Sequence, residues 1–412
     1  MYRNYLRFAG AACLLSTFWS VIRVADISIF ELLAVLVIPS AMIYSPPEEG
    51  THLAAFRLAG AGVALLMFAG IVSSLSSFDP AEHIVKVSKL VGAFMLTIGV
   101  SYVLANRKIY NLTEVLYLLA LSAAACSLVA ILQGQLGILT GLIPRGGEGG
   151  IESWTRMTGL AEHPIEAGIV SSYGFLISIG LGIYTRKWRL MILMIAINAY
   201  SMRFSASLTA VFAVVVASFV LCLYAKTYKI MLAGLAIGPL VVAAVLASSS
   251  GATGLLAHRL MSLYQSQGNY ETVQIREMQL RKTIDLIDPS TLAVGNGYST
   301  ADLPFKMEIH NGLIASVFHF GLLGLISQCL LIGFFVSKLG GDAPRPLKSI
   351  LAGCVIVFVL AYLTGPPQAR PSFWAPLFLL GAYLGSPRKE RFSRAAVSIV
   401  GRRIPGFGAR SK

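Results

Sequence analysis

Apolar runs recur along almost the whole chain, each close to the ~20 residues a helix needs to cross a hydrocarbon layer. They fall near 8–23, 27–44, 56–77, 85–105, 112–134, 165–184, 188–202, 206–224, 229–248, 312–337, 348–365 and 371–386. The pattern predicts an all-α polytopic membrane protein of about 12 transmembrane helices. Residues 188–202 and 206–224 also fit one bent helix, which would change that count. Met1 to Arg7 is short and basic ahead of an apolar run, but no small-residue cleavage site follows, so the first helix is expected to be retained.

Polar stretches interrupt the pattern at 135–164 and, at greater length, over 249–311, between the ninth and tenth expected helices. Within the longer stretch, Glu271 to Asp288 reads as a helix outside the membrane, with Val273, Leu280, Ile284 and Ile287 on one face. Arg276 falls beside that stripe and Arg281 away from it. Asp288-Pro289-Ser290 is expected to end the helix, and Gly295 and Gly297 to permit a tight turn. The chain therefore reads as one transmembrane domain over 1–386, with 249–311 as its large loop and 387–412 as a tail.

Composition agrees: 56% of residues are hydrophobic and only 13% charged, against roughly a quarter charged in soluble domains. An excess of 33 basic over 19 acidic residues gives a net charge of +14. No basic stretch carries interleaved aromatics or a binding signature, so nucleic acid is not an expected partner. Basic loops facing anionic membrane lipids explain the charge instead. With Arg3 and Arg7 inside, Arg107, Lys108, Arg186, Lys187, Arg189, Lys226, Lys229, Lys338, Arg345 and Lys348 also fall inside. The basic tail joins them as an interfacial cytoplasmic segment. Both polar stretches then face outward. The five cysteines sit in apolar runs at spacings that match no zinc or disulfide frame.

Orientation makes the outer cations informative, because positive-inside bias should deplete them. They are Arg145, Arg156, Arg203, Arg259, Arg276, Arg281, Lys282 and Arg370. A membrane-bound diphosphate would explain the set, since guanidinium forks match phosphate and stay charged when partly desolvated. Arg156 and His163 flank a turn supplied by Gly159 and Pro164, although His163 also fits a simple helix cap. His310 lies just before the apolar run 312–337. A neutral imidazole there suits accepting a proton from a sugar hydroxyl, with Asn311 orienting it or binding the acceptor. His83, Lys86 and Lys89 follow one another on a helix start. The lysines either snorkel to the surface or add positive potential to the same site. No acidic cluster suggests a metal or a glycosidase pair, and no hydrolase or phosphate-loop motif occurs. No metal or other cofactor is expected.

At these residues the chain resembles the O-antigen ligase and polymerase superfamily of bacterial inner-membrane glycosyltransferases. The resemblance is carried by Arg156-Met-Thr-Gly-Leu-Ala-Glu-His-Pro164, by Arg276 leading to Pro289 and Gly295-Asn-Gly-Tyr298, and by His310-Asn311 followed by Phe320-Gly-Leu-Leu-Gly324. It covers roughly Ser153 to Lys338. The sequence departs from the family pattern at Ile165, where Asn usually follows the proline, and over Met278 to Lys282, where an aromatic is often found. The resemblance implies metal-independent, inverting transfer of a glycan from a polyprenyl-diphosphate donor at the periplasmic face. It assigns Arg156 and Arg276 to the diphosphate and His310 to the acceptor. Arg203, Arg259, Arg281, Asn311, His163, Lys86 and Lys89 are further candidates for holding substrate.

The expected activity is polymerisation of repeat units of a surface polysaccharide or exopolysaccharide. Ligation of glycan to a lipid A core or to protein is the near alternative. Other polysaccharide assembly proteins are the remaining expected partners. A lipid-linked sugar transporter is the rival from another class. It should place ionisable groups near the bilayer midplane and show broken helices in paired halves.

Overall fold

The computed structural model describes residues 2–24, 27–44, 56–106, 109–139, 156–229, 231, 271–299, 301–303, 309–340, 343–365 and 371–384. The chain builds α1 (Tyr2–Leu15), a two-stranded hairpin (Arg23–Val24 with Ile27–Ser28) and α2 (Ile29–Tyr44). Then come α3 (Arg57–Ser73), α4 (Pro80–Asn106), α5 (Leu112–Leu136), α6 (Pro164–Thr185), α7 (Trp188–Ser205) and α8 (Leu208–Ala225). The remaining helices are α9 (Glu271–Asp285), α10 (Pro289–Val294), α11 (Gly312–Ser337), α12 (Arg345–Thr364) and α13 (Pro371–Leu384).

The fold is helical, as the apolar pattern predicts. Among the described residues, six helices are long and apolar enough to cross a membrane, and α2, α3 and α13 are shorter apolar helices. The expected span at 229–248 lies almost wholly outside the described residues, as do Arg259, Arg145, Arg370 and the 387–412 tail.

Two expectations are corrected. The first helix covers Tyr2–Leu15 rather than 8–23. The hydroxyls of Ser16 and Thr17 both turn back onto the Cys13 carbonyl, and the chain leaves the helix there for a 3₁₀ turn and the hairpin. The helix expected over 271–288 stops at Asp285. Asp288 does not end it but starts α10, its carboxylate accepting from Thr291 N–H at 2.7 Å. A third expectation is met: residues 188–225 form the two helices placed at 188–202 and 206–224 and not one bent helix, because Ala206 adopts a left-handed backbone (φ 45°) and the Ser207 side chain caps α8.

Helix-end contacts sort the molecule into two ends. At one, Arg7 pairs with Glu114, the Tyr383 hydroxyl bonds the Leu104 and Tyr110 carbonyls, and Tyr224 bonds Leu339. The basic connections near 186–189, 226–229 and 338–348 belong to this end. At the other, Arg23 pairs with Glu162, Met157 N–H bonds the Phe204 carbonyl, and the Ser372 hydroxyl bonds the Glu166 carboxylate. Tyr362, late in α12, packs under Gly312 and bonds Ser316 at the start of α11. Between the ends lies an aromatic core in which Trp374 contacts Phe94 (4.7 Å between centroids) and Phe358 (4.4 Å).

Candidate functional site

The candidate site is built from α9, from the turn after α10 and from the start of α11, all at the end away from the basic loops. On α9 the inward face is centred on Arg276. Gln279 and Thr283, three and seven residues on, are buried beside it, while Leu280 and Ile287 are partly buried. Of the aliphatic residues placed on one face, Leu280 and Ile287 are partly buried and Ile284 is exposed, as is Met278 on the opposite side. The outer side of the helix carries Gln274, Glu277, Arg281, Lys282 and Asp285 together with the apolar Met278 and Ile284.

Arg276 lies close enough to His310 for its charge to act on the ring. Burial first, and then the positive charge of Arg276, push the His310 imidazole down from its ordinary 6.5 to about 4, so the ring is neutral at physiological pH. Its Nδ1 is shielded from solvent and makes no hydrogen bond. An unsatisfied buried polar atom costs about 1–3 kcal/mol and calls for a physical reason, of which a catalytic role is one. Asn311 does not orient this ring through its amide oxygen. That oxygen accepts from Leu313 and Ile314 N–H, each at 3.1 Å, and caps α11.

The Gly-Asn-Gly turn is inserted into a broken helix. Gly321 leaves helical geometry (φ 65°, ψ −162°) inside α11. The carbonyls of Phe318 and His319 are there bonded by Asn296 N–H (2.7 Å) and Gly297 N–H (3.2 Å). Gly295 (φ 77°) and Gly297 (φ 95°) supply the backbone this requires. From the other side, Tyr298 N–H donates to His83 Nδ1 (2.6 Å) and Ser76 donates to the Gly295 carbonyl. Asp302 receives the Ser77 hydroxyl and the Phe78 and Ser299 N–H groups. Burial works to raise its pKa, but these bonds outweigh it and hold the carboxyl below the usual range.

Arg156 and Arg203 form a second cationic group at the end of α7. Arg156 Nε donates to the Ser205 carbonyl (2.8 Å). The Arg203 guanidinium lies over Tyr200 (5.0 Å) and Phe204 (5.4 Å), and its buried Nε has no hydrogen-bond partner.

Other expected site residues have structural employment. His163 caps α6, its Nδ1 accepting from Ile165 N–H. Arg281 forms an exposed pair with Glu277, one helical turn away, on the solvent side of α9. Lys86 pairs with Glu82 and lies 5.9 Å from the Tyr298 ring centre, whereas Lys89 is exposed. The arrangement also contains groups that the sequence reading gave no part in the site. His83 and His319 bind the turn, and Glu166 is a buried carboxylate bonded by Glu162 N–H and Ser372. Their signal was present, as histidines and an acid inside apolar runs, but their partners lie far away in sequence. Among the described residues no group of three or more His, Cys, Asp or Glu is arranged to hold a metal ion. Compared with protein-family models and with curated proteins, the chain matches none.

Proposed function

We propose that the chain is a glycosyltransferase of the bacterial inner membrane, moving a glycan from a polyprenyl-diphosphate donor to a sugar hydroxyl at the periplasmic face. The observation that carries this reading is the pairing of Arg276 with a neutral His310 whose Nδ1 is unsatisfied. Arg276 stabilises charge as the lipid diphosphate departs, and Arg156 and Arg203 offer further guanidinium contacts for phosphate. His310, unprotonated, takes the acceptor hydroxyl's hydrogen bond at Nδ1 once the groups shielding that atom part. An anionic donor beside Arg276 offsets its field, which strengthens the base when donor is bound. The resemblance in the ordered motifs favours polymerisation of repeat units, with ligation to a lipid A core or protein as the alternative.

A transporter of the same lipid-linked sugar shares one feature, a discontinuous helix. In α11, however, the Phe318 and His319 carbonyls at the break are already bonded by the turn.

The test is His310→Ala and Arg276→Ala in cells lacking the native copy, with membrane insertion checked by immunoblot. His310→Ala is expected to reduce long-chain polysaccharide by about 10²–10⁴-fold, the range for losing acid–base help, and Arg276→Ala by about 10²–10³-fold, the range for losing one charge-stabilising donor. Unchanged polymer from both inserted variants overturns the reading. Single units still attached indicate a lost polymerase, and complete chains left on the lipid carrier indicate a lost ligase.

A further inference from the structure

Helix α9 packs on α11, and α10 packs on α11 and α3. The strongest attachments are the hydrogen bonds of residues 295–302. The turn follows α9 and α10 in the chain and is bonded to the α11 carbonyls of Phe318 and His319, so it ties that segment to α11.

Two buried histidines, 0% and 2% exposed, close on this turn from opposite sides. His83, on α4, accepts Tyr298 N–H at Nδ1 and directs Nε2 at the Gly70 carbonyl (2.8 Å). It is therefore the Nε2–H tautomer. His319, on α11, directs Nδ1 at the Gly297 carbonyl (2.6 Å) and is therefore the Nδ1–H tautomer. The Tyr298 ring contacts the His319 ring (4.7 Å between centroids) and Phe320 (5.5 Å), so the clasp is sealed by aromatic contact. Backbone groups next to a membrane-crossing helix must be paired inside the protein. An imidazole is suited to this because it offers one donor and one acceptor on a small apolar ring.

We infer that His83 and His319 are positioning residues, clasping the 295–298 turn so that Arg276 on α9 and His310 before α11 meet in register. This rests on the reading of Arg276 and His310 as the working pair. The clasp itself stands on its own hydrogen bonds.

His83 permits a sharp test, because its two nitrogens have different partners. His83→Asn keeps an acceptor near the Nδ1 position for Tyr298 N–H and loses the bond to Gly70. His83→Gln keeps a donor near Nε2 for Gly70 and loses the acceptor for Tyr298. A role confined to α3–α4 packing favours Gln, and the clasp favours Asn. The first measurement, hydrogen exchange at the 296–298 amides of the full chain in nanodiscs, needs no activity. It is expected to speed up about tenfold in His83→Gln, the loss of one hydrogen bond, and little in His83→Asn. The second is polysaccharide chain length in cells at matched insertion, expected to fall in His83→Gln and to be largely kept in His83→Asn.

Equal exchange in both variants, or the reverse order, overturns the clasp. Faster exchange in His83→Gln with chain length unchanged overturns the positioning role, provided His310→Ala abolishes polymer. Full-length polymer from His310→Ala and Arg276→Ala overturns the functional reading instead, and leaves the exchange result to judge the clasp. His319→Asn, which keeps a donor near Nδ1, is expected to hold the turn better than His319→Phe by the same exchange measurement.

Discussion

A histidine serves as an acceptor of protons only while it is unprotonated, and His310 is kept so by its surroundings. Burial is the larger cause and Arg276 the smaller, together taking it from 6.5 to about 4. Between those values an exposed histidine takes up a proton and His310 does not. Without donor the ring should therefore stay neutral down to about pH 5 and protonate as pH drops through about 4, and a bound anionic donor that offsets Arg276 moves this limit upward. Stability has the same sign. Below about pH 6.5 the unfolded chain binds a proton that the folded chain refuses, so this group weakens the fold progressively as pH falls towards 4. The prediction is read by an NMR titration of labelled histidine Cε1. The wild-type His310 midpoint should lie near 4, and Arg276→Gln should raise it without restoring 6.5, because burial remains. A midpoint that Arg276→Gln does not move would show that the two side chains are not electrostatically coupled. In the sequence, His310 and Arg276 were visible as polar residues beside apolar runs. Their proximity was not, since it depends on how the residues between them fold back.

Among the elements, the broken helix α11 and the turn lodged in it depend most on particular residues. A tight turn was legible at Gly295-Asn-Gly297, and Phe320-Gly321 stood out within an apolar run. That the turn fills the break was not legible, because Asn296 pairs with Phe318 and Gly297 with His319, across residues whose hydropathy gives no register. Three glycines are required by the joint. A Cβ at Gly295 would overlap the His319 carbonyl, and one at Gly321 would sit 2.9 Å from the Leu292 carbonyl oxygen. At Gly297 it would sit 2.5 Å from Asp302 Oδ2. Each also has a positive φ, which costs other residues roughly 1–3 kcal/mol. Gly295→Ala and Gly321→Ala should each lower the thermal midpoint of the detergent-solubilised chain and increase exchange at residues 296–298. Gly60→Ala, in α3 with open space around it, is the control and should change neither. If the control and the turn variants melt alike, the joint contributes nothing to the fold.

For the whole molecule, hydropathy predicted a helical membrane protein, and the distribution of basic residues predicted which connections share a side. Helix-end contacts agree with that sorting: Arg186, Lys187, Lys226 and Lys338 gather at one end, while Arg156, Arg203, Arg276 and His310 belong to the other. Positive-inside bias predicts that the first end is cytoplasmic, and the proposed function then requires the donor to be used on the outer side. Single cysteines report this directly. Cys13, Cys126, Cys222 and Cys354 are buried, and Cys329 is exposed on the apolar helix α11, so Cys329→Ser removes the remaining background thiol. Asp285→Cys, at the exposed end of α9, should then react with a membrane-impermeant maleimide in cells whose outer membrane alone has been opened. Lys187→Cys and Lys226→Cys should react only after the inner membrane is breached. The reverse pattern would place Arg276 and His310 in the cytoplasm, where a lipid-linked glycan presented on the outer leaflet cannot reach them. The proposed transfer would then be impossible, even with the intramolecular geometry unchanged.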